Sequence, residues 1–413
     1  MKAIMVVGDG MADRPLRELK MKTPLEAAEK PSLNWIAENG VCGIIDPIAP
    51  GIPPGSDTAH LALLGYDPFK VYAGRGALEA LGSGVEIVPD DIAFRCNFAT
   101  VDDHLKVIDR RAGRIETDDA SRLAEGFKEI ALEKHPEVQI VFKNTLQHRA
   151  VLLLRGPGLS RMVSDSDPQK VGRQVLRAYP LNNTSEAEKT AEIVNELMQH
   201  FHEILKNHPV NEERKKRGLL PANIILCRGA GKLPDMTPIP LHYGVNAAAI
   251  CAMPLVKGVC KAAGMKLLAV SGSTGIYDTD VVARANAVVQ ATQSYDLVFV
   301  HVKEPDVASH DGKVQQKIKM IEKIDEMMGH ILRNINLDET VVAVTADHTT
   351  SLSTREHEGD PVPVAIVGPG VRTDEVKEFG ERACARGGVG RIRGVDLMPI
   401  IMNLLGKVKK FGA

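Results

Sequence analysis

The sequence predicts an α/β fold: a doubly wound, mostly parallel sheet with a smaller α+β domain inserted into it. Three observations carry that expectation. Short apolar runs rich in β-branched residues recur at wide spacing, as strands covered on both faces do. Helical repeats fall between them towards both ends of the chain, the alternation that builds parallel sheets. The middle of the chain breaks the pattern with shorter, hairpin-like runs.

Taken in order, residues 3–7 (AIMVV) read as the first buried strand and residues 43–46 (GIID) as the second. The loop that follows, PGIPPGSDTAHL, spends three prolines and two glycines before helix-compatible residues begin at Ser56. Two readings compete there. Ser56 or Asp57 caps the new helix, or Ser56 is a nucleophile at a helix N-terminus, where the dipole favours a developing anion. Gly74-Arg75-Gly76 reads as a turn of the chain rather than a phosphate cradle. Residues 92–101 and 104–108 form hairpin partners across Asp102-Asp103, and 138–142 with 150–154 a second pair. Helices are expected over 118–134 and 185–207. The second opens with a capping box, Ser185-x-x-Glu188, and aligns Ile193, Val194, Leu197, Phe201, Ile204 and Leu205 on one face. Residues 245–264 read as a helix kinked or broken at Pro254. Leu297–Val302, Thr340–Thr345 and Val362–Val367 complete the parallel strands. The repeat of Ile318, Ile321, Ile324, Met328 and Ile331 predicts a helix over 313–335. The expected division is a discontinuous core, 1–87 with 236–413, around an inserted domain at 88–235.

The bulk numbers exclude several classes. A chain of 413 residues exceeds one compact core, and 44% apolar with 25% charged residues is ordinary globular composition. A net charge of −2 provides no general attraction to nucleic acid or an anionic membrane. Six cysteines without a CxxC pair argue against zinc knuckles and a disulfide framework, and favour reduced thiols in a cytoplasmic protein. The N-terminal apolar run is shorter than a signal h-region or a membrane span.

The chemistry lies at the strand ends. Three buried strands each deliver an aspartate just past their carboxyl end: Asp9, Asp306 and Asp347. Open α/β sheets bind ligands there, and three converging carboxylates repel one another unless a cation compensates. Asp306 and His310 are four residues apart and share one helix face. Asp347 and His348 are adjacent, so their side chains diverge towards different ions; His357 follows nine residues later. Mixed carboxylate and imidazole donors suit Mn²⁺, Co²⁺, Zn²⁺ or Mg²⁺. With Ser56 counted, the set is large enough for two ions and too large for one tetrahedral site. A divalent ion beside Ser56 would lower its pKa, which makes it the nucleophile for a phosphorus atom.

The strings GDGMADRP, TPLEAA, PGSDTAHLALLGYDP, YAGRGALEALGSG, DIAFRCNFATV, DRRAGRI, SHDG, TADHTT, GDPVPVAIVGPGVRTD and GRIRGVDLMPI run the length of the chain. The residue set resembles the alkaline phosphatase superfamily of two-metal phospho- and sulfotransferases. More narrowly, the chain is similar from end to end to the archaeal type of cofactor-independent (2,3-bisphosphoglycerate-independent) phosphoglycerate mutase. That resemblance implies an alkaline-phosphatase-like core and a cytoplasmic isomerase of glycolysis and gluconeogenesis. It would interconvert 2- and 3-phosphoglycerate without 2,3-bisphosphoglycerate. It assigns one metal to Asp306, His310 and His357. The other goes to Asp9, Ser56, Asp347 and His348, with Ser56 transiently phosphorylated. Ser309 stands where the family motif carries glycine, a difference that bears on helix packing. Water exclusion then explains an inserted domain that closes over the crevice and clamps the substrate. The basic candidates for that clamp are Arg110, Arg111 and Arg114 beside Asp109, with Arg149, Arg214, Arg228 and Lys257. Asp57 and His60 are candidates for positioning substrate or a proton. The rival readings are a phosphopentomutase-like enzyme and a phosphomonoesterase or sulfatase. A non-catalytic binding module is a third, and GDG lacks the spacing of a dinucleotide fingerprint. The sequence leaves monomer and homo-oligomer undecided.

Overall fold

The computed structural model describes residues 1–412. The chain divides into two compact units, Met1–Tyr72 with Asp235–Ala413, and Ala73–Pro234. In chain order the first unit contributes β1 (Lys2–Gly8) and β2 (Val41–Asp46). The second holds β3 (Ile92–Val101), β4 (Val107–Asp109), β5 (Gln139–Leu146), β6 (Arg149–Arg155) and β7 (Ile224–Gly231). The first then resumes with β8 (Ala247–Ile250), β9 (Lys266–Leu267), β10 (Leu297–Val302) and β11 (Thr340–Thr345). It ends with β12 (Thr349–Thr350), β13 (His357–Glu358), β14 (Val362–Val367) and β15 (Gly390–Arg393). Among the described residues no helix is long and apolar enough to cross a membrane.

The first unit is built on an eight-stranded sheet in the order β15-β2-β14-β11-β1-β10-β8-β9. β1 lies parallel between β10 and β11, with Val7 opposite both His301 and Thr345. The three central strands therefore end level, and the residues just past them meet. Val362–Val367 forms the expected strand but runs antiparallel to both β11 and β2. A buried strand reads as a continuous apolar run in either direction, and the short return from β11 needs no crossover helix. The expected helix over 245–264 is also different. Ala247–Ile250 is a strand, and Pro254 opens a separate helix, Pro254–Ala262, at its first turn, where a missing N–H costs nothing. The helix expected over 313–335 spans Val314–Asn334.

Two polar contacts, the first buried and the second half-buried, pin the loop after β1. Lys317 donates to Asp13 Oδ2 at 2.8 Å and to the carbonyls of Ala12 and Thr350. The Glu381 carboxylate accepts from Asp13 N at 3.1 Å and Thr23 Oγ1 at 2.7 Å. Burial pushes the Glu381 carboxyl up to about 7, outweighing those hydrogen bonds.

The second unit is an antiparallel sheet, β4-β3-β6-β5 with β7 also on β3. Helix Ser185–Lys206 lays Ile193, Val194, Leu197, Phe201 and Leu205 on it, while Ile204 is only partly buried. Phe127, Phe142 and Phe201 meet there, with Phe127 and Phe201 ring centroids 4.5 Å apart. The helix cap is Thr184 rather than Ser185; its hydroxyl accepts from Ala187 N at 3.3 Å. The helix expected over 118–134 is shorter, Thr117–Glu125, and stops at Gly126. The unit begins at residue 73, earlier than the division at 88. The reason is helix Arg75–Gly82, which lies on β3 so closely that a Cβ on Gly76 would stand 2.0 Å from Ala93 O.

Gly76→Ala is therefore expected to lower the melting midpoint of the second unit by at least about 5 °C, since backbone cannot yield as a side chain does. A midpoint unchanged in calorimetry would show that the helix does not rest there. Glu381 sets a pH dependence. The folded chain holds its proton between the ordinary value of 4.5 and about 7, where the unfolded chain has lost it. Stability thus falls as pH rises through that window, by up to about 3 kcal/mol. Glu381→Gln should flatten that slope in denaturant titrations; an unaltered slope would place the proton elsewhere.

Candidate active site

Ser56 is the first residue of helix Ser56–Leu63, and Gly55 occupies the cap position in extended conformation. No side chain caps this helix, so neither Ser56 nor Asp57 serves as the cap. Asp57, inside the first turn, accepts from Thr58 N at 3.1 Å and from Tyr72 Oη at 2.8 Å. The Ser56 hydroxyl is left free for chemistry and lies 3.3 Å from His348 Nε2.

Around it stand the three strand-end carboxylates, all buried. Asp9, Asp347 and His348 bring ligand atoms within 4.8 Å of one another, and Asp306, His348 and His357 do the same. His310 Nε2 lies 3.3 Å from Asp306 Oδ1 across one helical turn. His348 belongs to both groups, and its ring stacks on that of His357 with centroids 3.6 Å apart. Ser309, in the glycine position of the motif, turns its hydroxyl inward to Pro305 O at 2.9 Å and leaves His310 in place.

The hydrogen bonds behind these groups show what they are arranged to hold. His310 Nδ1 meets Arg355 O at 2.7 Å and His357 Nδ1 meets Pro54 O at 2.9 Å. A carbonyl only accepts, so each Nδ1 carries the proton and each Nε2 aims towards Asp306. In the neutral imidazole that Nε2 is a lone pair facing an anionic oxygen, an arrangement that calls for a cation or a second proton. Asp347 Oδ2 is buried between imidazoles, 3.1 Å from His348 Nε2 and 3.5 Å from His60 Nδ1, without a well-aligned hydrogen bond. The donor set therefore fits divalent metal.

Charge within the chain meets part of the demand. Burial alone would raise Asp306, yet Lys303, His310 and His357 hold it well below the usual carboxylate range. Asp347 is likewise held low by His348, His60 and Lys303 against its burial. His357 is raised to about 9 by its contact with Asp306, although burial works the other way. Lys303 was not a candidate from sequence. Its ammonium bridges Asp9, at 3.1 Å from both oxygens, and Asp306. His301, inside β10, also escaped notice; its Nε2 lies 2.7 Å from Asp9 Oδ2. Thr350 joins His348 Nδ1 to Asp306 Oδ1 at 2.9 and 2.8 Å. His60 is fully buried, with Nδ1 2.6 Å from Ser56 O, and burial lowers its pKa. Lys257 is half-buried on helix Pro254–Ala262, which packs against helix Ser56–Leu63.

The basic candidates of the second unit separate into two kinds. Arg214 is buried and consumed by structure: it pairs with Asp119 at 2.8 Å and donates to the carbonyls of Ala112 and Leu220. It is withdrawn as a substrate contact. Arg110 is held by Asp167 through two hydrogen bonds, and Asp109 accepts from Arg111 N at 2.6 Å. Arg111 and Arg114 are exposed. Arg149 and Arg228 belong to a different group, with Arg95 and Arg75, which sequence alone did not single out. Burial and mutual repulsion lower Arg149, Arg228 and Arg95, the last to about 9. Glu79 lies 3.4 Å from Arg75 and 3.5 Å from Arg95. His148, beside them, is pushed down to about 3 by burial and the nearby Arg149, Arg111 and Arg95. A half-buried excess of guanidinium groups is suited to an anion with several oxygens.

Residues 37–211 match the family model for 2,3-bisphosphoglycerate-independent phosphoglycerate mutase. The protein named 2,3-bisphosphoglycerate-independent phosphoglycerate mutase 1 from Methanothermobacter thermautotrophicus is 46% identical, with 100% of both chains covered. Among solved structures, the PH0037 protein from Pyrococcus horikoshii is 39% identical with a TM-score of 0.88, covering 100% of this chain and 99% of that one. The cofactor-independent phosphoglycerate mutase from Thermoplasma acidophilum is 37% identical with a TM-score of 0.71, covering 98% and 100%.

Arg95→Met is expected to raise the melting midpoint of the anion-free protein by about 2–5 °C, because it removes an undercompensated buried charge. A lower midpoint would mean that Glu79 already balances the cluster.

Proposed function

We propose, for a chain that belongs to the 2,3-bisphosphoglycerate-independent phosphoglycerate mutase family, that Ser56 carries the phosphoryl group between the two hydroxyls of glycerate. The activity is the interconversion of 2- and 3-phosphoglycerate, which we assign to cytoplasmic glycolysis and gluconeogenesis. One observation supports the role of Ser56 above the others: its hydroxyl sits uncapped at a helix N-terminus, inside a ring of buried carboxylates and imidazoles.

Asp306, His310 and His357 would hold one divalent ion, and Asp9, Ser56, Asp347 and His348 the other. Manganese, magnesium, cobalt and zinc all accept such donors, and a bound pair supplies a lowered hydroxyl pKa and charge neutralisation at phosphorus. The chain's own groups do the rest. Ser56 Oγ attacks phosphorus, the bond to the glycerate oxygen breaks, and the proton lost from Ser56 ends on that oxygen. The positive end of helix Ser56–Leu63 favours the transferred group's negative charge. Lys303 keeps Asp9 and Asp306 in register and adds a positive charge beside them. Glycerate, still bound, then presents its other hydroxyl, which takes the group back from Ser56. The arginines around Arg95, Arg149 and Arg228 are the anion-binding element of the second unit, and we assign that unit the task of retaining the substrate away from water.

Ser56→Ala is expected to cut mutase turnover at least about a thousandfold and to abolish acid-stable phosphate label on the chain, with the ion held by Asp306, His310 and His357 retained. A variant that kept a tenth of the wild-type rate would rule Ser56 out as the nucleophile.

A further inference from the structure

One cavity of the first unit is lined by charge that the chain leaves unbalanced. It encloses about 330 Å³ between the segments 22–30 and 378–386, and none of its lining residues belongs to the metal, nucleophile or arginine groups described above. Lys22, Lys30, Arg382 and Arg386 line it against two carboxylates, Glu26 and Glu378. Arg382 is committed, because its guanidinium grips the Glu26 carboxylate at 2.7 and 2.6 Å. Lys22, Lys30 and Arg386 make no side-chain hydrogen bond or ion pair among the described residues. For Lys22 and Arg386 that is ordinary, since both are exposed. Lys30 is different: it is only 5% exposed, and a buried ammonium without an acceptor is a costly arrangement. Burial lowers its pKa, and the charges acting on it include Glu378, Glu26 and Lys22 of this same cavity. Phe379, which is buried, and Ala383 complete the wall with apolar surface.

We propose that this cavity binds a small phosphorylated metabolite, with Lys30, Lys22 and Arg386 meeting the phosphoryl oxygens and Phe379 with Ala383 covering the carbon skeleton. A phosphoryl group offers several acceptors to side chains that only donate. Three uncommitted cations stand against one uncommitted carboxylate, Glu378, so the cavity attracts anions. Its volume lies at the low end of the roughly 300–1,000 Å³ of small-molecule sites, which suits a metabolite of a few carbons better than a nucleotide. An anion there supplies the counter-charge that Lys30 lacks, so binding stabilises the folded chain. The site takes no part in phosphoryl transfer at Ser56, and a ligand held in it is not turned over.

The test is acetylation of the full chain by limiting acetic anhydride, mapped by peptide mass spectrometry. It is run in chloride, in inorganic phosphate and in glycerol 3-phosphate at matched ionic strength. Labelling of Lys30 is expected to fall at least about threefold in either phosphate compound relative to chloride, with glycerol 3-phosphate effective at the lower concentration. Exposed Lys70 should change little. Both compounds should raise the melting midpoint by about 2–5 °C, and Lys30→Met should lose at least half of that rise while keeping mutase turnover. Lys22→Ala combined with Arg386→Ala, at two exposed positions, should weaken the protection of Lys30 and serves if the Met variant folds poorly. Equal labelling in chloride and phosphate, a Lys30 that the reagent never reaches, or a full midpoint rise in Lys30→Met would each overturn the proposal. Glycerol 3-phosphate that protects no better than free phosphate would overturn the assignment of a carbon skeleton to the ligand.

Discussion

Mutual repulsion among three buried carboxylates is the constraint from which the first unit follows. Asp9, Asp306 and Asp347 are brought together because β1, β10 and β11 are neighbours that end level. Like charges at such range in a poorly solvated place do not persist without positive charge among them. The chain provides Lys303 and a set of imidazoles whose Nδ1 atoms are already committed to oxygen acceptors. What those groups leave unmet is the affinity for divalent ions. Fold and chemistry are thus one problem here: the sheet makes the electrostatic cost, and the cost creates the site.

The second unit carries the opposite sign. Arg75, Arg95, Arg149 and Arg228 press on one another with Glu79 beside Arg75 and Arg95 and Asp167 beside Arg228 as counter-ions, and His148 is kept neutral beside them. Each unit is therefore left electrostatically incomplete by its own side chains, one short of cations and the other short of anions. Such unfinished charge lowers stability in the empty protein, and functional sites commonly carry that cost.

Much of this was legible in the sequence, and the misses have physical reasons. Fully buried strands announce themselves by β-branched runs, and an aspartate that follows such a run is placed by the strand itself. Direction is not announced: Val362–Val367 reads the same whether parallel or antiparallel. The Ala247–Ile250 run is too short to tell strand from helix. Lys303 and His301 were overlooked because nothing in a lone lysine after a strand, or a histidine inside one, distinguishes them from satisfied or solvated groups. Arg214 failed in the reverse sense. It sits in a highly charged helical turn whose pattern suggests exposure, while the fold buries it against Asp119. Arg95 was hidden inside a hairpin strand, where alternation reports a face and not what occupies it.

The order in which β1 finds its neighbours has a consequence for biosynthesis. Its first hydrogen-bonded partners lie near Leu297 and Thr340, far downstream of Ala3. As the polypeptide leaves the ribosome, Ala73–Pro234 has all of its own strands available and can fold while the sheet of the other unit is still half translated. Asp9 and Ser56 emerge early but meet Asp347 and His348 only when nearly the whole message has been read. A truncated or stalled product therefore exposes an apolar edge at β1 with those four residues still apart, a state that quality-control proteases recognise and clear.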